Sequence, residues 1–368
     1  MAAVFETGRR QVLAHRVAAH QLDRSEAQPG RLAVLDLGVQ DTPHGSARLA
    51  LAARSTAEPP DDGSLTLIWS TRGAPHLHRR GDLPALAAAL WPLSDADATA
   101  RISATAIREG ARMGTAAFTA AAEAMRAVVR EPMPKGEVSA AVSARVPQSL
   151  TYWCRVCQAQ HISGGLFQQV GLPAGVRLDP SGPGTVLAPV QDWPGVPGQA
   201  SGTADLLRTQ LRLLGPAGLP EAAKFLGTTQ TATRQVWPGG LAEVRVDGRT
   251  AWLPEEDLEA LRSAPAPRLV RLLPPSDPYL QARDRGLLVP DRERQQAVWR
   301  VLSGPGALLV DGEITGVWRS RLASKGRLDV TVTAFEPLSS AVRGAVQDEA
   351  QRVAGVRGAA DLTLTFSG

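Results

Sequence analysis

The sequence predicts an α+β chain of tandem winged-helix (helix-turn-helix) repeats closed by a C-terminal β-rich domain. Three observations carry that expectation. A helix, turn, helix and extended wing follow one another between residues 133 and 197, the same order recurs between 203 and 254, and beyond 267 helical periodicity gives way to alternating apolar stretches. At 368 residues the chain exceeds the about 250 to 300 over which one core grows, so several units are expected. Their boundaries are placed at 1–100 (a degenerate first unit), 101–200 and 201–267 (two winged helices) and 268–368 (the β-rich domain).

Taken in order, residues 6–22 are strong helix formers with Leu13, Ala14, Val17 and Ala18 on one stripe, which predicts an amphipathic helix. The apolar run Leu32 to Leu37 reads as a first buried strand, followed by a short helix to about Arg54. Residues 65–69 alternate as a strand does, and the next eleven, TRGAPHLHRRG, read as an open basic loop held by Gly and Pro. Helices are expected over 95–130, then 135–146, with Pro147 as a break and a further helix over 150–170. In LAEVRVDGRTAWLP the Asp247-Gly248 pair predicts a two-stranded hairpin. Near the end, 308–321 reads as a hairpin with a long basic tip carrying Lys325 and Arg327, before a strand, an amphipathic helix over 339–353 and a last strand over 361–366.

Forty Lys and Arg against 36 Asp and Glu leave a net charge of +4, so an anionic partner must be met by a local patch rather than by the whole molecule. Only Lys135, Lys224 and Lys325 are lysines, which restricts Schiff-base chemistry to those amines. No apolar run is long enough for a membrane span and no signal peptide is indicated, so a cytoplasmic, nucleoid-associated protein is expected. Cys154 and Cys157 form a CxxC followed by His161. A structural zinc site usually has four ligands and the surroundings read as a helix, so neither a metal nor a redox pair is expected, and no cofactor.

The candidate site lies at the end of RLAVLDLGVQDTPHGSAR, where Gln40, Asp41 and Thr42 meet Pro43. A carboxylate and an amide presented at a chain turn suit chemistry or binding. The alternative is that Asp41 or Thr42 caps the helix that follows. The basic segment, with Arg72, His76, His78, Arg79 and Arg80, suits phosphate contact, the alternative being a solvated loop.

LGVQDTPHGSARLAL, WSTRGAPHLHR, GPAGLPEAAKFLG, LLPPSDPYLQARDR and LVDGEITGVW, in this order, resemble the AlkZ/YcaQ-like winged-helix DNA glycosylases over nearly the whole chain. The resemblance implies a C-shaped array around duplex DNA and cleavage of the N-glycosidic bond of bulky or N7-alkylated guanine, and a self-resistance member acting on trioxacarcin-type adducts fits best. It implies a monomer acting on double-stranded DNA that contains alkylated guanine, with Arg72, His76, His78, Arg79, Arg80, Lys325 and Arg327 on the nucleic acid. The family motif is Gln, an apolar residue, then Gln or Asp. Gln40 matches its first position, but Asp41 stands in the apolar place and Thr42 in the last. Either Asp41 supplies the carboxylate from a shifted position or Gln40 alone orients water. Two other classes share the architecture: a winged-helix transcriptional regulator and a protein that binds adducts without cutting them.

Overall fold

The computed structural model describes residues 4–102, 105–180, 184–323 and 326–367. They fall into two compact units: Met1–Asp61 with Arg208–Gly218 and Gly239–Gly368, and Asp62–Leu207 with Leu219–Pro238. The expected boundaries at 100, 200 and 267 therefore lie inside units rather than between them.

The first unit is built on the C-terminal sheet. Val270–Leu273, Gly306–Val310, Glu313–Leu322, Arg327–Ala334 and Asp361–Ser367 lie side by side in that order, antiparallel except for the last pair. Alternation in the sequence explains it: Leu328, Val330 and Val332 turn inward while Thr331 and Thr333 face out. Asp311 and Gly312, at φ 49° and 87°, make the tight turn between the second and third strands. The helix Ser340–Val356 starts at Ser339, whose hydroxyl accepts from the Val342 N–H, and buries Val346, Ala350, Val353 and Ala354 against the sheet.

The N-terminal segment belongs to this same unit. Phe5–Thr7 pairs in parallel with Leu241–Val246, the first strand of the Asp247-Gly248 hairpin. The helix Arg9–Ala19 follows, shorter than the sequence suggested, and three ion pairs fasten this region to distant sequence: Arg9 to Glu313 at 2.5 Å, Arg16 to Asp284 at 2.6 Å and Arg24 to Glu349 at 2.6 Å. A fourth pair, Arg54 with Asp277, is fully buried and bidentate at 2.7 and 2.8 Å. The SDPY motif is thus structural: Asp277 also caps the turn at Tyr279, and Tyr279 packs edge-on to His20.

The second unit holds a sheet in which Pro75–Arg79, Leu65–Trp69, Val176–Asp179, Val186–Pro189 and Met133–Pro134 are neighbours in that order. Its core is supplied by Asp95–Ile102, Thr115–Val128 and Lys135–Ser143, with Trp91 edge-on to Phe118. In chain order, and passing between the two units, Thr203–Leu214, Leu219–Leu226 and Gln230–Gln235 precede the 241–254 hairpin.

Three expectations are corrected. The basic segment is not an open loop: Pro75–Arg79 is a strand, paired with Leu65–Trp69 from Leu65↔Arg79 to Trp69↔Pro75. The run Leu32–Leu37 is not a strand but a 3-10 turn, Ala33–Asp36, leading into the two-residue strand Val39–Gln40. Residues 150–170 are not one helix. Thr151–Cys154 and Ala159–Ile162 form a hairpin, and only Gly164–Gln169 is helical, because Thr, Tyr and Trp favour the pleat and Gln158, at φ 51°, turns the chain back.

Candidate active site

The site is built on the turn that joins Val39–Gln40 to the helix Ser46–Ala52. Gly45 takes φ 85° to swing the chain into that helix, a backbone conformation that other residues reach only with strain. Asp41 locks the turn from inside. Its carboxylate is 7% exposed; Oδ1 accepts from the Ala47 N–H at 2.9 Å and Oδ2 lies 2.9 Å from His44 Nδ1. It therefore satisfies a free N–H in the first turn of the helix and holds an imidazole at the same time. Gln40 is half-buried and Thr42 exposed on either side of it. His44, with its side chain 76% exposed, turns its other ring nitrogen, Nε2, away from the carboxylate.

Beside this turn, within the same unit, lies a cleft of about 690 Å³. Thr42 and Pro43 form part of its wall, with Trp299, Arg285, Arg300, Arg319 and Arg357. The Arg285 guanidinium stacks 5.0 Å from the centre of the Trp299 ring. Trp299 Nε1 donates to the Leu280 carbonyl at 3.3 Å, which fixes the plane of the indole. Val301, on the cleft wall, and Leu302, next in the chain, are 99% and 84% exposed, an unusual placement for two large aliphatic residues. The volume falls within the range of small-molecule sites, about 300 to 1,000 Å³. Arginines that bind phosphate bidentately and an indole face that takes a base are the side chains a nucleotide needs.

The other expected residues are distributed as follows. Arg72, His76, His78, Arg79 and Arg80 belong to the second unit. His76 and His78 point to the inner side of their strand, 5% and 1% exposed; Ser70 Oγ lies 2.9 Å from His78 Nε2 and the Ala74 carbonyl 2.9 Å from His76 Nδ1. Burial pushes His76 down to about 4 and His78 well below 6.5, so both are neutral near pH 7. Arg72 is exposed, with Nη1 on the Phe225 carbonyl at 2.8 Å; Arg79 is half-buried, 3.4 Å from Asp82; Arg80 is exposed. Arg327 is paired with Asp329 at 2.8 Å, and Lys325 lies outside the described residues.

Sequence reasoning did not reach His44 or the cleft arginines. Asp41 and His44 stand three apart across a Pro-bearing turn, which was a legible signal. The arginines come from separate stretches and nothing local marks them. Among the described residues, one group outside this site could hold a metal: Cys154, Cys157 and His161.

Comparison with known proteins bears on the whole arrangement. A family model described as "DNA glycosylase AlkZ-like" matches residues 34–356. The solved structure of the DNA glycosylase AlkZ from Streptomyces sahachiroi is similar with a TM-score of 0.75 at 20% identity, over 99% of this chain and all of that one, a likeness of fold. No curated protein matches. Among the described residues no helix is long and apolar enough to cross a membrane. The family match extends over both units and includes the turn at Gln40 and the cleft wall except Arg357, and the chain belongs to the AlkZ-like DNA glycosylases.

Proposed function

We propose that this DNA glycosylase hydrolyses the N-glycosidic bond of bulky, N7-alkylated guanine in duplex DNA and leaves an abasic site, as a self-resistance enzyme against a DNA-alkylating natural product. The observation that supports it is a polar turn bearing Gln40, Thr42 and an Asp41–His44 pair at the edge of a cationic, indole-walled cleft.

N7-alkylguanine carries a formal positive charge, so it leaves readily and needs little protonation. The enzyme must then aim a water at C1′ and stabilise the developing oxocarbenium ion. Gln40, whose amide both donates and accepts, holds the water. Asp41 is a positioning residue: both its oxygens are engaged, so it fixes the turn and keeps the His44 proton on Nδ1. Nε2 of His44 is then the free acceptor that takes the proton of the attacking water. No lysine is required, which fits a monofunctional reaction. The cleft takes the adduct, with Trp299 against its aromatic face and the arginines on flanking phosphates, while Val301 and Leu302 suit the gap that a displaced nucleotide leaves in the stack.

The test is incubation with duplex DNA carrying a single N7-alkylguanine, with mass spectrometry for the freed base and alkali for abasic sites. Released alkylguanine supports the reading. Binding to the adduct without release favours sequestration, and binding to undamaged operator-like sequence alone favours a regulator.

A further inference from the structure

The hairpin Thr151–Ile162 is anchored in the core of the second unit at its base, through Ile162 and Tyr152, while its tip projects beyond that core. Among the described residues it is a two-stranded sheet with no third strand, and the residues of its tip are largely exposed. Hairpins of that kind are marginally stable in water. Its turn nevertheless carries chemistry that a plain surface turn does not need. Cys154 ends the first strand, Cys157 lies in the turn and His161 faces Tyr152 in the second strand. One ligand atom from each falls within 4.8 Å of the others. His161 Nε2 is buried without a hydrogen-bond partner among the described residues. A buried imidazole nitrogen left unpaired is costly, and something is expected to satisfy it.

The geometry points to a zinc site at this hairpin tip, with Cys154 Sγ, Cys157 Sγ and His161 Nε2 as ligands. Thiolate and imidazole donors select zinc among the common divalent ions. Zn–S bonds of about 2.3 Å in a tetrahedron need ligand atoms roughly 3.5 to 4 Å apart, a modest contraction of a cluster whose atoms already lie within 4.8 Å of one another. Binding releases the two thiol protons to solvent and changes no oxidation state. Among the described residues no fourth His, Cys, Asp or Glu joins the cluster, so water completes the coordination. The ion would join the two strands at the exposed tip, beyond the reach of the core that Ile162 enters. A redox dithiol explains less: it leaves His161 Nε2 unsatisfied, and this CxxC sits in a hairpin turn rather than at a helix N-terminus.

The test uses the untagged full chain, reduced and freed of metal, then titrated with zinc and separately with cobalt. The expected results are close to one zinc per chain, thiolate-to-cobalt charge-transfer and tetrahedral d–d bands, and zinc protection of both cysteines from alkylation. Cys157→Ser should abolish all three, while His161→Cys should retain the metal. The proposal is overturned if the reduced wild type binds no more zinc than Cys157→Ser, or if cobalt gives only the spectrum of the aqueous ion. None of these readouts depends on glycosylase activity, so they stand or fail apart from it.

Discussion

Replacing Asp41 with Asn or with Ala separates its two bonds. In Asp41→Asn the amide oxygen can still accept the Ala47 N–H, so the start of the helix Ser46–Ala52 is preserved. The amide nitrogen now faces His44 Nδ1, a donor where an acceptor stood, so the imidazole must present a lone pair there and carry its proton on Nε2. That is the wrong tautomer for a base. Loss of general-base assistance typically costs about 10²- to 10⁴-fold; with a leaving group as good as a cationic purine we expect the lower end, about 10²-fold in the single-turnover rate. In Asp41→Ala both partners are lost, and the unpaired helix N–H adds about 0.5–2 kcal/mol of destabilisation. The assay is release of N7-alkylguanine under single-turnover conditions, alongside urea unfolding of each variant. Asp41→Asn should be stable but slow, and Asp41→Ala slow and less stable. A stable Asp41→Asn variant that releases base within a few-fold of the wild-type rate would remove the His44 tautomer from the mechanism.

Other expectations follow from the same contacts. Trp299→Ala removes the stacking face and the Arg285 contact, and should weaken binding of a bulky adduct by about 1–3 kcal/mol, roughly 5- to 150-fold, with a smaller effect on undamaged duplex in the same fluorescence titration. Arg54→Met removes the guanidinium partner of the fully buried Asp277 carboxyl group, and should cost about 3–5 kcal/mol in urea unfolding. His76, His78, His20 and His15 are all lowered by burial, so the unfolded chain takes up protons that the folded one refuses. Stability should therefore be full above pH 6.5 and fall as the pH drops toward 4, with His76 alone contributing about 3 kcal/mol of that loss. Denaturant midpoints from pH 8 to 4 would show it, and His76→Leu should flatten the profile.

What could be read in the sequence depended on how local the signal was. Asp247-Gly248 and Asp311-Gly312 each fix a hairpin because residues with positive φ are scarce, and alternation from Leu328 to Val332 marks a face with no knowledge of its partner. PHLHR alternates as cleanly, yet the Gly and Pro before it suggested a loop, and the burial of its two histidines depends on a strand whose neighbours lie elsewhere in the chain. The cysteine hairpin is masked in the sequence by the helical period of its flanking residues, although Thr151, Tyr152 and Trp153 all have β preference. At the site, the turn at Gln40 and Asp41 was visible and the two roles open to Asp41 were already distinct. Its carboxylate is engaged in the way a cap requires, with His44 as the additional partner. The cleft was not visible: residues 42 and 285–357 meet only through the sheet and helix packing of the folded unit.

The most direct measurement compares wild type with the Gln40→Ala, Asp41→Ala double variant on duplex DNA bearing one N7-alkylguanine, scoring released base and binding affinity together. The account predicts that the wild type frees the modified guanine, and that the double variant binds the duplex almost as well while releasing none. Equal release by both proteins, or none by the wild type, would contradict it.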